Sequence, residues 1–182
     1  MQPDEVVARA RSMIGKRTVY HLGHGGMRPE APVAYDMERE CDCSGFAAWC
    51  LGVSRKTDHP WYVALNGGWL QTSAIVRDLG TGYGSFDGVA WTHGQPGDLL
   101  VWPDRVVDGV KHHGHVGVVS AVDETGPTLV IHCSEGNFRA SGGLEVPLNP
   151  KADAVAETSV LIFREREALV ARWCEHAEQA VA

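Results

Sequence analysis

A single cysteine between an acidic and a hydroxyl residue, Asp42-Cys43-Ser44-Gly45-Phe46, opens a run that fits a short helix from Ser44 to Leu51, stopped by Gly52. At a helix start, unpaired backbone N–H groups and the helix dipole favour a thiolate over a thiol. The thiolate is the form of cysteine that attacks carbonyl carbon. Such chemistry needs a histidine in reach as base and a polar group on that histidine's other nitrogen.

Nine histidines are available. His115 opens the β-rich run His-Val-Gly-Val-Val, where backbone pairing would hold an imidazole in place. His132 lies in the apolar run Leu-Val-Ile-His-Cys, where a polar side chain is costly unless it is hydrogen-bonded. The turn Asp123-Glu-Thr-Gly-Pro127 makes the two runs an antiparallel hairpin. The two rings share a face only if paired residue numbers sum to an odd value, as with Gly117 opposite His132. Each histidine taken alone fits a hydrogen-bonded structural role at least as well as a catalytic one. His21, His24, His59, His93, His112, His113 and His176 fall in loops or on a solvated helix and are expected at the surface. His112 and His113 are close enough in sequence to His115 to line a cleft beside it.

The elements that must position these residues show two periods. Helical spacing marks residues 4–14, the run after Cys43, Trp69 to Leu79, and a closing stretch from Glu165 to Val181 with Leu169, Val170, Trp173, Cys174, Ala177 and Val181 on one stripe. Residues 20–32, 54–68 and 81–97 are expected to be irregular. Short β-rich runs cover 98–102, 115–122, 128–133 and 158–163, broken by Pro, Gly and Asp. Helices followed by antiparallel strands give an α+β class. The length of 182 residues, with no repeat or linker, fits a single domain over 1–182.

A formal charge of −7 excludes the basic face that a nucleic-acid or anionic-membrane partner requires. No apolar run approaches the ~18 residues of a membrane span, and the acidic start Met1-Gln-Pro-Asp-Glu5 does not resemble a secretory signal. The expectation is a monomer, cytoplasmic as synthesised, phage-associated or exported by another route. Five cysteines at uneven spacing do not form a disulfide framework. A zinc site from Cys41, Cys43, Cys50 and a histidine is the competing reading, but C-x-C-x6-C matches no common zinc pattern. Cys50 and Cys174 fit packed positions, whereas Cys41 is either inert or a redox partner of Cys43.

In order, Asp42-Cys43-Ser44-Gly45-Phe46, Gln95-Pro96-Gly97-Asp98-Leu99, Gly114-His115-Val116-Gly117-Val118 and Ile131-His132 resemble the NlpC-type papain-like cell-wall cysteine peptidases, over roughly 100 of 182 residues. The resemblance implies a papain-like α+β core with the nucleophile helix packed on an antiparallel sheet. It implies Cys43 as nucleophile, His115 as base and His132 as the residue that orients it, with no metal or other cofactor. The implied substrate is peptidoglycan, cleaved at an amide bond of the stem peptide next to a D-glutamyl residue. Tyr20 resembles the family's tyrosine that binds substrate or completes the oxyanion hole. Asp42 and Ser44 match positions that contact a substrate amine, although helix capping accounts for them equally well. The stretch from Gly26 to Cys41 is longer than the family pattern, and cell-wall-binding repeats are absent from this sequence. Two other readings stay open: an N-acetylmuramoyl-L-alanine amidase or other Cys–His acyl transferase or deamidase, and a catalytically idle binding protein of the same fold.

Overall fold

The computed structural model describes residues 1–147 and 149–174. In chain order the elements are α1 (Pro3–Ser12), β1 (Val19–Tyr20), β2 (Glu40–Cys41), α2 (Cys43–Cys50), α3 (Pro60–Asn66), α4 (Thr72–Asp78), β3 (Phe86–Val89), β4 (Leu99–Trp102), β5 (Arg105–Val107), β6 (Val110–His112), β7 (His115–Asp123), β8 (Gly126–Cys133), α5 (Glu135–Ala140), β9 (Val155–Ser159), α6 (Leu161–Glu165) and β10 (Leu169–Trp173). The main sheet has six strands in the order β3-β10-β4-β7-β8-β9, with every neighbouring pair antiparallel. The expected class therefore holds as a mixed α/β chain with a mostly antiparallel sheet. No helix among the described residues is long and apolar enough to cross a membrane.

The alternation of each strand splits its side chains between two cores. Val101, Val116, Val118, Ile131, Cys133 and Val155 share one cluster with Val6, Ala10 and Met13 near α1 and with Phe46, Ala47 and Cys50 of α2. Leu100, Val119, Val130 and Val170 point the other way and are covered by Val160, Phe163 and Ala168 around α6. The Pro-Gly-Asp-Leu block registers β4 in this sheet. Asp98 is buried and takes two hydrogen bonds from the Arg172 guanidinium, each 2.9 Å, which ties β4 to β10.

The closing stretch departs from expectation. Residues 165–174 do not continue a helix: α6 ends at Glu165, and Leu169–Trp173 is a strand paired with both β3 and β4. Val170 packs in the α6 cluster and Ala171 in the α2 cluster, so the middle of this strand is buried on both faces and its apolar run mimics a helical stripe. Cys174 lies half-buried after that strand, 2.9 Å from Asp87, rather than on a helix face. His176, Ala177 and Val181 lie outside the described residues. The run 158–163 is likewise divided, with strand to Ser159 and helix from Leu161. The stretches expected to be irregular contain α3, within 54–68, and β3, within 81–97.

Candidate active site

The start of α2 is built by Asp42. Its carboxylate Oδ1 accepts the Gly45 amide at 2.7 Å and the Ser44 hydroxyl at 3.0 Å, and its Oδ2 accepts Gly23 N at 2.7 Å and Arg55 Nη2 at 2.9 Å. Ser44 in turn accepts a second bond from Arg55 Nη2 at 3.1 Å. Asp42, Ser44 and Arg55 are all buried. Both residues of the motif thus serve the helix cap and a buried ion pair. Arg55 carried no signal in the sequence, because a partner for Asp42 thirteen residues away follows no local rule. Gly45 is required by contact: a Cβ there would lie 2.6 Å from the His24 carbonyl oxygen and 2.7 Å from that of Gly25. The glycine loop before the motif therefore presses directly on α2.

Cys43 is the first residue of α2 and is 3 % exposed. The backbone N–H groups of Val116 and Ser44 lie near its sulfur and favour the thiolate. Burial, with the Asp42 carboxylate adding to it, pushes the thiol up to about 12 in spite of those two donors. The helix-start expectation of a thiolate is thus outweighed: desolvation of the charge exceeds what the backbone donors return. Burial raises the phenol of Tyr20, on the short strand beside it, well above its ordinary range, and the neighbouring Cys43, Asp42, Cys133 and Glu135 add to the shift. The structure therefore brings Tyr20 into the neighbourhood of Cys43.

His115 and His132 share one face. The hairpin register pairs Val118 with Ile131 and Val119 with Val130, an odd sum, and a bulge at Ser120 precedes the tight turn that closes on Asp123 and Gly126. His115 Nε2 lies 2.7 Å from His132 Nδ1. Gly117 makes this approach feasible, since a Cβ on it would sit 2.9 Å from His132 Cβ and 2.7 Å from Val130 Cγ2. Both rings pack against Phe163, with centroids at 5.6 Å and 5.5 Å, and Trp102 lies 5.2 Å from His115. In this apolar surround burial depresses both imidazoles, His132 to about 4 and His115 well below its ordinary range, with the neighbouring His132 adding to the latter.

The second nitrogen of His132 carries a partner that the sequence did not reveal. His132 Nε2 lies 3.0 Å from Thr158 Oγ1, whose hydroxyl donates to the Ser159 carbonyl at 3.3 Å. Thr158 pairs with Val130 on the edge strand β9, so it stands diagonally from His132 on the same face. Asn137, from α5, donates to the His132 carbonyl at 3.1 Å and to the Ala154 carbonyl at 3.2 Å, which fixes the end of β8.

The two halves meet at the end of β7. Cys43 lies near the Val116 amide in the α2 core, whereas the His115 ring packs on Phe163 in the core on the other face of the sheet. No hydrogen bond joins Cys43 to His115 among the described residues. Cys41 and Cys50 are buried and unbridged, and the Cys41 thiol donates to the Asp42 carbonyl at 3.4 Å, so Cys41 is a packed thiol here.

A separate cluster lies on the flanking loop. Glu40 takes His21 Nδ1 at 2.7 Å on one oxygen and His24 Nδ1 at 3.0 Å on the other, and the three ligand-type atoms lie within 4.8 Å of one another. The two imidazoles stack at 4.2 Å with planes only 19° apart. Nearly parallel rings cannot both aim their lone pairs at a common ion. The cluster is therefore arranged as a carboxylate shared by two histidines.

Residues 34–137, more than half of the 182-residue chain, match the CHAP domain family. Among curated proteins, none matches the chain.

Proposed function

We propose, on the premise that this chain belongs to the CHAP domain family, that it hydrolyses an amide bond of peptidoglycan through a Cys43 thioester. CHAP domains are papain-like cysteine peptidase or amidase domains associated with peptidoglycan hydrolases. The NlpC-type resemblance of the four sequence blocks lies within the same papain-like group. The finer reading is an endopeptidase that opens the bond between a D-glutamyl residue and the following diamino acid.

The observation that carries this reading is the chain of contacts His115–His132–Thr158 at the strand end where the Cys43 thiol also arrives. Thr158 uses its proton on Ser159, so it accepts from His132 Nε2–H. That leaves His132 Nδ1 to accept from His115 Nε2–H, and His115 Nδ1 with a free lone pair. This is the tautomer that a base for Cys43 needs.

In the proposed sequence the resting pair is a neutral thiol and a neutral imidazole. In the free protein Cys43 packs in the α2 core and the His115 ring on Phe163 across the sheet, so the step requires that ring to turn past the end of β7 toward Cys43 when substrate binds. His115 Nδ1 takes the thiol proton as sulfur bonds to the scissile carbonyl carbon, and the carbonyl electrons move onto oxygen. The Cys43 amide and the Tyr20 hydroxyl stabilise that oxyanion. Collapse expels the amine, which leaves with the proton from His115. Water then gives a proton to His115 and its oxygen to the thioester, releasing the acid and restoring the thiol. Papain-like packing of the nucleophile helix on the sheet is part of the same proposal.

For Asp42 and Ser44, contact with a substrate amine is proposed in addition to capping, and it requires Arg55 to give up part of its hold on the carboxylate. Mass spectrometry of digested cell wall tests the reading. A new pair of ends at the D-glutamyl bond supports the endopeptidase, a cut between muramic acid and L-alanine replaces it with an amidase, and no cut refutes hydrolysis.

A further inference from the structure

The hairpin β5–β6 is inserted between β4 and β7, so it caps the end of the sheet from which His115 projects. Between this hairpin and the turn after α6 lies a cleft of about 270 Å³, lined by Trp102, Arg105, Lys111, His112, His113 and Arg166 together with Pro103. The volume is close to the lower end for ligand pockets (~300 Å³), enough for part of a peptide. Trp102 forms one wall, and its ring is the one packed 5.2 Å from His115. In a chain of net charge −7, three cationic side chains and two imidazoles converge on the flank of the proposed base.

Two carboxylates offset part of this charge. Asp104 pairs with Lys111 at 2.9 Å and lies 3.9 Å from His113, and Glu167 lies 3.8 Å from Arg105. Arg105 also donates to the Arg166 carbonyl at 2.9 Å. The Arg166 guanidinium has no ion pair or hydrogen bond among the described residues, and His112 has no side-chain partner among them. Two counter-charges against three cations leave an excess positive charge, centred on a guanidinium with its donors unspent. A planar guanidinium matches a carboxylate through paired N–H···O bonds.

The geometry points to this cleft as a subsite for a free carboxylate of the substrate peptide, held by Arg166 with Lys111 in support, on the far side of the Trp102 ring from His115. The inference rests on the proposed hydrolysis of stem peptides, whose γ-linked glutamyl and diamino acid residues carry such carboxylates. It adds a selectivity: peptides with the carboxylate free are preferred over the same peptides with it converted to a primary amide.

The test uses the full chain carrying Cys43→Ala and a stem peptide in both forms, titrated by calorimetry, with cleavage of the same peptides by the wild type run in parallel. The expected result is roughly tenfold tighter binding of the carboxylate form, falling to within about twofold of the amidated form when Arg166→Gln is added. Lys111→Gln should lower the preference by a smaller factor. Equal binding of the two forms, or a preference that survives Arg166→Gln, would overturn the subsite. Cleavage of both peptides at equal rates overturns the subsite but keeps the hydrolase. Discriminating binding without cleavage keeps the subsite and overturns the hydrolase, and binding of neither peptide overturns both.

Discussion

His115 Nε2 and His132 Nδ1 stand 2.7 Å apart on adjacent strands, a separation set by the odd register of the β7–β8 hairpin and by the missing side chain at Gly117. The contact occupies one nitrogen of each ring. What the remaining nitrogens meet decides the chemistry: Thr158 for His132 and, in the proposed mechanism, the Cys43 thiol for His115.

Thr158 should act as a positioning residue. Thr158→Val keeps the shape and removes the hydroxyl, which should lower kcat by roughly 2- to 10-fold, the worth of one hydrogen bond, with KM nearly unchanged. Thr158→Ser should restore most of the rate. Steady-state kinetics on a muropeptide would show this split, and an equal rate for Thr158→Val would remove Thr158 from the relay.

The elevated thiol predicts how Cys43 alkylates. With the thiol held up to about 12, the thiolate fraction grows about tenfold per pH unit, so iodoacetamide labelling of Cys43 should rise steadily from pH 6 to 10 without levelling off. A plateau beginning below pH 8 would instead reveal a standing thiolate–imidazolium pair in the free protein.

The depressed imidazoles predict acid sensitivity. His132 falls to about 4 in the folded chain against ~6.5 unfolded, so between these values the unfolded chain binds more protons and stability rises with pH. The contribution is complete above pH 6.5 and is lost as pH falls through 4, an amount on the order of 3 kcal/mol. Urea midpoints should drop more steeply across this window for the wild type than for His132→Gln. Parallel pH curves for the two proteins would contradict the buried neutral state of His132.

Asp42 should matter for folding as well as for any substrate contact. Asp42→Ala removes the cap and strands Arg55 in the interior, and loss of one partner of a buried ion pair costs about 3–5 kcal/mol. Denaturation should show that loss directly. Unchanged stability would mean that the Asp42–Arg55 contact is not held in solution.

Much of the site is legible in the sequence because its signals are local. A cap residue, a small residue where backbones touch and a histidine opening a strand each sit within a few positions of what they act on. The shared face of His115 and His132 follows from a short hairpin whose alternation can be counted. Thr158 and Arg55 leave no such trace, since their partners are fixed by strand order and by burial rather than by spacing. The end of the fold misleads for the same reason. Leu169 to Trp173 carries a stripe with helical spacing, yet its place between β3 and β4 depends on segments about seventy residues or more away, and burial on both faces erases the alternation that marks a half-exposed strand. The thiol shows a conflict of magnitudes: the position of Cys43 is local, but its protonation is decided by desolvation that only the packed structure supplies.

The central claim is that Cys43 forms the bond to the substrate carbonyl while its neighbour Cys41 is only packed. Turnover of a defined muropeptide by Cys43→Ala and Cys41→Ala, each checked for folding by circular dichroism, tests it most directly. The expected result is a loss of more than about 1,000-fold in kcat/KM for Cys43→Ala, with Cys41→Ala retaining activity. Cleavage by folded Cys43→Ala at a rate near that of the wild type would contradict the account.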